Sequence, residues 1–448
     1  MSLAAPAKDE AAIRSSKINE VLEPALALTP PDLNAVQSPA RKYRFRSKFL
    51  LAMAIFVAFN ATLTFLTPFP FDPYKFNYKG WAWWTFNELR HTKRISNVAL
   101  LGSSTMVSAV AGCDANHLNK GLDLTAHHQS CYLQEQLQKK LKGDFETFSL
   151  AAPGQMPSDA YITLKGMVAS ATRPDVVIYG VAPRDFIDST LSAPGDTDAF
   201  KYVTRIVNID DVAQRVWRNP FNKLEWLLQR CVYFYGYALD VRLFLDEIWT
   251  VVFDRVLPRP WTKTPFTWWD RQRLLPGYLP AEIHPEAVMA GPIDRATATS
   301  KFKDNTLEYL HRYNNPDIHT YKTQMFFLTK IAEFCRKERM ELIIVNMPIL
   351  LDNIKLLKPG GYIGYLQKLR EFGFNHSVAV YDLNDFGRYG RDDFHDSVHL
   401  NAFGGQKFLD DVAGAIIKDP KVKEVVTMSG ENLKRHKQIA ERKPRLLF

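Results

Sequence analysis

Apolar positions along the chain follow three regimes. The first is one uncharged run, residues 49–66, FLLAMAIFVAFNATLTFL, broken only by Asn60, Thr62 and Thr64. As a helix at 1.5 Å per residue it covers about 27 Å, enough to cross the hydrocarbon core of a bilayer. Arg41, Lys42, Arg44, Arg46 and Lys48 crowd one end. Pro68, Phe69, Pro70, Phe71, Tyr74, Trp81, Trp83 and Trp84 crowd the other. Positive charge on one side and an aromatic belt on the other predict a transmembrane helix over 48–68 with a cytoplasmic N-terminus; a buried core helix is the alternative. A cleaved signal peptide fits poorly, because the leader is long and no A-x-A-like site follows the run.

The second regime begins near residue 95. Short runs rich in Val and Ile at 97–101, 145–150, 175–181, 341–347 and 377–383 are bounded by turn residues, as strands buried on both faces of a parallel sheet should be. Helical periodicity falls between and after them, at 131–142, 158–171, 320–338, 360–371 and 402–417. This alternation predicts an α/β fold: a three-layer α/β/α sandwich on a five-stranded parallel, flavodoxin-like sheet.

Between about 190 and 320 the rhythm breaks. Residues 224–257 are helical in periodicity and strongly aromatic, and a stretch with Pro258, Pro260, Trp261, Pro265, Trp268 and Trp269 follows. Two readings stand: helices packed over the α/β core, or a helix pair apposed to a membrane or partner. Arg230, Asp240, Arg242, Asp246 and Glu247 make a second span a poor fit. The expected organisation is a disordered cytoplasmic tail at 1–47, the membrane helix at 48–68, an aromatic linker at 69–94, the main domain at 95–420 with its helical insertion, and a basic tail at 421–448.

Net charge is +9. Much of the excess sits in the two flanks rather than on a recognition helix, which argues against nucleic acid. Four cysteines, Cys113, Cys131, Cys231 and Cys335, have no C-x-x-C spacing and suggest no structural zinc. Cys113 and Cys131 could close a polar loop as a disulfide, with four separate thiols the alternative. His127 and His128 read as decoration on that loop.

In open parallel sheets, reactive groups gather at the carboxyl ends of strands. Here the first strand ends in Gly102, Ser103, Ser104 and Thr105, and the second runs into AAPGQMPSD with Gly154. The third precedes Arg184 and Asp185, the fourth Asn346 and Pro348. Beyond the fifth lies RDDFHDSVHLNAFGGQKF, with Asp396 and His399. A serine nucleophile needs a base, and the base needs an orienting acceptor. Asp396 and His399, three apart in one turn, can supply both to Ser104. Each also has a bland reading: Ser104 or Asp396 as a helix cap, His399 as a half-buried surface residue. His395 with His399 forms H-x-x-x-H, a metal pattern if helical, with Asp396 or Asp393 as third ligand.

GSST after the first strand, the glycine loop at Gly154 and DSVH near the C-terminus resemble blocks one, two and five of the SGNH (GDSL-type) hydrolases. The resemblance covers residues 95–195 and 323–418. It implies Ser104 as nucleophile, His399 as base, Asp396 as its orienter, and an oxyanion hole from the amides of Ser104 and Gly154. The family's third block carries an asparagine as oxyanion donor; the matching stretch here, GVAPRDF, has none, which leaves Arg184 as a substitute donor or a hole built on two backbone amides alone. Losing one such donor costs ~10²–10³ in rate.

GSS near a membrane anchor, and D-x-V-H-L-N-x-x-G before a helix, are similar to two membrane-anchored subgroups: the protein that assists teichoic-acid D-alanylation, and the acetyltransferases of alginate O-acetylation. That similarity implies a serine O-acyltransferase in a bacterial plasma membrane, with its catalytic domain periplasmic or extracytoplasmic. The substrate would be a surface polysaccharide or glycolipid. A membrane-bound O-acyltransferase-type multi-spanning partner would supply the acyl group, and no cofactor or metal is implied. An esterase or deacetylase with the same triad, or a non-catalytic assembly or glycan-binding factor, is the alternative.

Overall fold

The computed structural model describes residues 48–66, 80–92, 96–124, 126–170, 173–190, 193–217, 220–237, 245 and 289–442. Its strands are β1 (Val98–Gly102), β2 (Leu122–Asp123), β3 (Thr147–Ser149), β4 (Val176–Val181), β5 (Met289–Ala290), β6 (Glu341–Asn346) and β7 (Ala379–Asp382). Five of them pair in parallel in the order β3–β1–β4–β6–β7. The two-residue strands β2 and β5 form a separate antiparallel pair absent from the sequence reading.

Both faces of the main sheet are covered, so successive strand residues alternate between two cores. Ala99, Leu101, Val177, Tyr179, Leu342 and Ile344 face one side. Val98, Leu100, Val176, Ile178, Ile343 and Val345 face the other. Helix α1 (Lys48–Leu66) precedes the domain; it is long and apolar enough to span a membrane, and none of its residues is buried within the protein. Helices α2 (Trp81–His91) and α5 (Pro157–Ala169), with Ile318–Lys337, cover the first core. Helices α3 (Ser104–Leu118) and α4 (Cys131–Lys140), with Ala402–Lys418, cover the second. The fold is thus the expected three-layer α/β/α sandwich on a five-stranded parallel sheet.

Strand order reverses at β1: the chain passes to β3 on one side and then to β4 on the other. Such a switch point opens a crevice above the carboxyl ends of the strands. One helix contact fixes what enters that crevice. Where Ala402–Lys418 crosses α3, a Cβ on Gly405 would lie 2.2 Å from the Ala109 carbonyl oxygen, and one on Gly112 would lie 3.2 Å from the Ala402 nitrogen. Only glycines allow backbones this close, and the contact carries the loop before Ala402 up to the start of α3.

Three expectations need correction. Trp81, Trp83 and Trp84 are not an interfacial belt: they lie on α2, with Trp83 and Trp84 buried among Phe86, Leu89 and the first core. Each indole pays for helix docking with apolar area, so the domain includes residues assigned to the linker. The basic C-terminal tail is a helix, Pro420–Arg442, with Val422, Val426 and Leu433 buried on one stripe. Ser429 on that helix ties it to the sheet, accepting from Asn97 Nδ2 at 3.0 Å and donating to Asp175 at 2.7 Å. The insertion divides: Phe200, Tyr202 and Val203 join the first core, while Pro220–Cys231 projects from the domain. Apart from Leu245, residues 238–288, including the proline- and tryptophan-rich stretch, lie outside the described residues.

Candidate active site

The turn from β1 into α3 explains the glycine and hydroxyls that end the first strand. Gly102 has φ +154°, and a Cβ there would fall 2.6 Å from Met106 Cβ and 3.0 Å from the Gly180 carbonyl. Only glycine permits so abrupt an entry into a helix. Ser103 takes the N-cap position, and Ser104 becomes the first residue of α3, half-exposed at the helix's positive end. The Ser103 hydroxyl lies 3.2 Å from that of Thr105 and also bonds the buried Asp185 carboxylate, tying β1 to the end of β4.

The loop after β3 is tied to the same turn. Ala152 donates its N–H to the Gly102 carbonyl at 3.0 Å, and Gly102 donates to Gln155 Oε1 at 2.9 Å. Gln155 Nε2 in turn donates to the Leu150 carbonyl at 2.8 Å. Gln155 was not singled out by sequence, yet it ties the loop that carries Gly154 to the turn after β1. Gly154 itself has φ +77°, a left-handed conformation that favours glycine.

The fifth strand-end segment closes the site from above. Phe394 and Leu400 pair as an antiparallel bridge, and His395 donates its N–H to the His399 carbonyl at 2.7 Å, so residues 395–399 form a tight loop. Asn401, fully buried, caps the following helix through Phe403 and Gly404 at 3.0 and 3.2 Å, while its Nδ2 donates to the Asp392 carbonyl at 2.8 Å. Within this loop Asp396 Oδ1 accepts from the Val398 and His399 amides, each at 2.9 Å. Asp396 Oδ2 lies 2.7 Å from His399 Nδ1, and His399 Nε2 lies 2.8 Å from Ser104 Oγ. Because a carboxylate only accepts, Nδ1 carries the proton and Nε2 accepts from the serine hydroxyl. Ser104, His399 and Asp396, separated by 295 and 3 residues, therefore form one continuous hydrogen-bonded line.

Burial works against charge on Asp396, but the His399 hydrogen bond, its charge and the two amides outweigh it and hold the carboxyl below the usual range. Such a carboxylate stays ionised at neutral pH and keeps accepting from His399 Nδ1. Burial pushes His395 the other way, below the usual imidazole range, against the pull of Asp396.

Arg184 occupies the first residue of the short helix α6 (Arg184–Ile187) and is buried. Its Nε donates to Asp188 Oδ2 at 3.0 Å and its Nη1 reaches Asp185 Oδ1 at 3.4 Å. Arg312 shares the load on Asp188 at 2.6 Å. With two edges pinned, the remaining nitrogen, Nη2, would lie 3.8 Å from a Cβ built on Gly154, which puts a fixed cation at the glycine loop. Burial raises the Asp185 carboxyl to about 6 despite the Arg184 charge. The chain thus brings Ser104, Gly154, Arg184, Asp396 and His399 to one rim; Asn346, at the end of β6, is spent on Tyr362 and Asp382 instead.

The other candidates resolve differently. His395 and His399 lie on a loop rather than a helix, and both ring nitrogens of His399 are engaged by Asp396 and Ser104, so the pair does not present two imidazoles to a metal. Cys113 and Cys131 remain thiols, the first buried, rather than a disulfide. The 127–128 pair lies on a loop, as expected, but both rings pack inward instead of decorating it. His127 Nε2 lies 2.9 Å from the fully buried Asp114, and His128 is buried, stacked on Phe148 at 5.6 Å between centroids. Asp114, His127 and Cys131 bring one potential metal ligand each within 4.8 Å of the others. The Asp114 oxygens, however, already accept from the Cys131 and Tyr132 amides at 2.7 and 3.0 Å and so serve the start of α4.

No protein-family model and no curated protein matches the chain. Among solved structures, a Bacteroides fragilis protein named "putative acylhydrolase" is similar at 9% identity and a TM-score of 0.31, over 76% of this chain and 98% of that one.

Proposed function

We propose that the chain is a membrane-anchored serine O-acyltransferase that passes an acyl group, acetyl in the simplest case, through Ser104 to a hydroxyl of a surface or exported polysaccharide. The observation that carries this reading is the Ser104–His399–Asp396 line, with 2.8 and 2.7 Å links.

In the first half-reaction Ser104 Oγ attacks the acyl carbonyl carbon while its proton passes to His399 Nε2. The carbonyl oxygen becomes an oxyanion beside the amides of Ser104 and Gly154, with Arg184 Nη2 as the charged donor. Among the described residues neither amide has another partner. Collapse breaks the bond to the leaving group, which takes the proton back from His399 and leaves an acyl ester on Ser104. A sugar hydroxyl then repeats the sequence as nucleophile, His399 removing its proton and returning it to Ser104. Asp396 holds Nδ1–H throughout and stabilises the imidazolium. Donors fixed in advance, as Arg184 is by two carboxylates, need no reorganisation when charge develops.

The resemblance to membrane-anchored SGNH acyltransferases supports transfer over hydrolysis. It also gives the protein a multi-spanning O-acyltransferase partner, an anchor in the bacterial inner membrane through α1, and a domain outside the cytoplasm. Incubation of the full chain with a chromogenic acetyl ester and an oligosaccharide acceptor tests the reading. Acetyl on the Ser104 peptide and on the acceptor is the expected result. Acetyl on Ser104 released only to water makes the protein an esterase, and no acetyl on Ser104 overturns the enzyme reading.

A further inference from the structure

The helix Pro220–Cys231, sequence PFNKLEWLLQRC, has no place in the domain core. At 100° per residue, Phe221, Leu224, Leu227, Leu228 and Cys231 fall within an arc of about 120°, with Lys223, Glu225 and Arg230 outside it. In a soluble protein such an apolar stripe faces the core; here Phe221 is 80% exposed, Leu224 52% and Leu227 49%. The short helix that follows, Tyr233–Gly236, exposes Phe234 and Tyr235 as well.

What these helices touch identifies their surroundings. Between them the helix breaks at Val232, leaving the Cys231 carbonyl and the Tyr233 amide outside a continuous ladder. Both are taken by one side chain: Asn60 Nδ2 donates to the Cys231 carbonyl at 2.6 Å, and the Tyr233 amide donates to Asn60 Oδ1. Asn60 is the one amide in α1, where Thr62 and Thr64 are the other polar breaks in the apolar run, and stands six residues before its end at Leu66. At 1.5 Å per residue it lies about 9 Å inside that end. Water would satisfy an open helix break; in hydrocarbon the break needs a protein partner, and an asparagine placed in hydrocarbon needs one too. Each supplies the other's need.

We propose that the helix Pro220–Cys231 and the helix Tyr233–Gly236 lie in the bilayer, in the leaflet holding the C-terminal end of α1, with Phe221, Leu224, Leu227 and Phe234 against lipid acyl chains. The proposal rests on α1 crossing the membrane. The depth fits, since interfacial amphipathic helices bury their apolar face about 5–10 Å below the surface. Lys223 and Glu225 reach outward along their stems to the headgroups. The catalytic domain is then held to the membrane at two points, and its rim keeps a fixed orientation to the lipid surface.

The test uses the full chain with Cys131→Ala and Cys231→Ala, reconstituted in phosphatidylcholine and phosphatidylglycerol vesicles. A fluorophore is placed in turn at Leu227→Cys, Glu225→Cys and Val57→Cys. Nitroxide-bearing lipids should quench positions 227 and 57 several-fold more than position 225, and aqueous iodide should show the reverse order. Quenching at 57 with equal response at 227 and 225 overturns the proposal while leaving α1 in the membrane. No lipid quenching at 57 removes α1 from the bilayer and the proposal with it. Phe234→Cys repeats the measurement should the Leu227 variant fail to fold.

Discussion

Gly405→Ala separates the geometry of the site from the stability of the fold. The added methyl would stand 2.2 Å from the Ala109 carbonyl oxygen, where ordinary contact begins at 3.4 Å, so the helix Ala402–Lys418 must part from α3 by about 1 Å. Ala109 lies five residues after Ser104, and Gly405 six after His399. The parting therefore opens the 2.8 Å link between those two side chains. A misplacement of about 1 Å costs ~10²-fold in rate. Stability moves less: overpacking costs ~1–3 kcal/mol, offset by ~1 kcal/mol of helix propensity gained on replacing glycine. Gly414→Ala is the internal control, on the same helix with nothing within 4 Å of the new methyl; it gains ~1 kcal/mol and leaves the rate alone. The assay is the rate at which a fluorophosphonate probe modifies the folded, detergent-extracted protein, read beside thermal unfolding. A Gly405→Ala protein that folds and reacts at the wild-type rate would refute the idea that this helix contact sets the alignment.

Three further outcomes follow from the same structure. Arg184→Met removes the charged donor and should slow probe modification ~10²–10³-fold. It should also destabilise the fold by ~3 kcal/mol, the low end for a broken buried pair, because Arg312 still covers Asp188 at 2.6 Å. Full stability loss with an unchanged rate would make Arg184 structural only. Asp159 is fully buried, accepts from Thr197 at 2.5 Å, and is raised by burial to about 6 from an ordinary 3.8. Its folded form holds the proton to higher pH than the unfolded chain, so it draws stability down as pH rises from about 4 to about 6, by ~3 kcal/mol at most. Asp159→Asn should therefore gain on the wild type across that window in denaturant titrations, and a flat difference would contradict the assignment. Leu433→Asp, which places charge in a buried position of the C-terminal helix, should lower the midpoint of thermal unfolding, whereas a solvated tail would not respond.

The parallel strands were legible because burial on both faces writes them as unbroken apolar runs. The edge strand β3 shrank to Thr147–Ser149, since only one neighbour fixes it. The strand-end tally was informative for a related reason: parallel topology delivers every carboxyl end to one rim, whatever the sequence distance. Trp83 and Trp84 misled because an indole suits a membrane interface and a core equally, and only the docking of α2 decides. Val422, Val426 and Leu433 carried a helical stripe, but the surrounding lysines and arginines hid it when charge was weighed first. The Asp114–His127 pair, the Asp185–Ser103 bond and the brace from Gln155 depend on elements meeting in space, and no spacing rule anticipates them.

The central claim, that Ser104 is a nucleophile activated by His399, is tested most directly by intact-mass analysis after fluorophosphonate treatment of the full chain, of Ser104→Ala and of His399→Ala. One adduct on the Ser104 peptide of the wild type, none on Ser104→Ala and a strongly slowed one on His399→Ala is the predicted result. An unmodified wild type that is folded by thermal unfolding, or an adduct that survives Ser104→Ala, would contradict it.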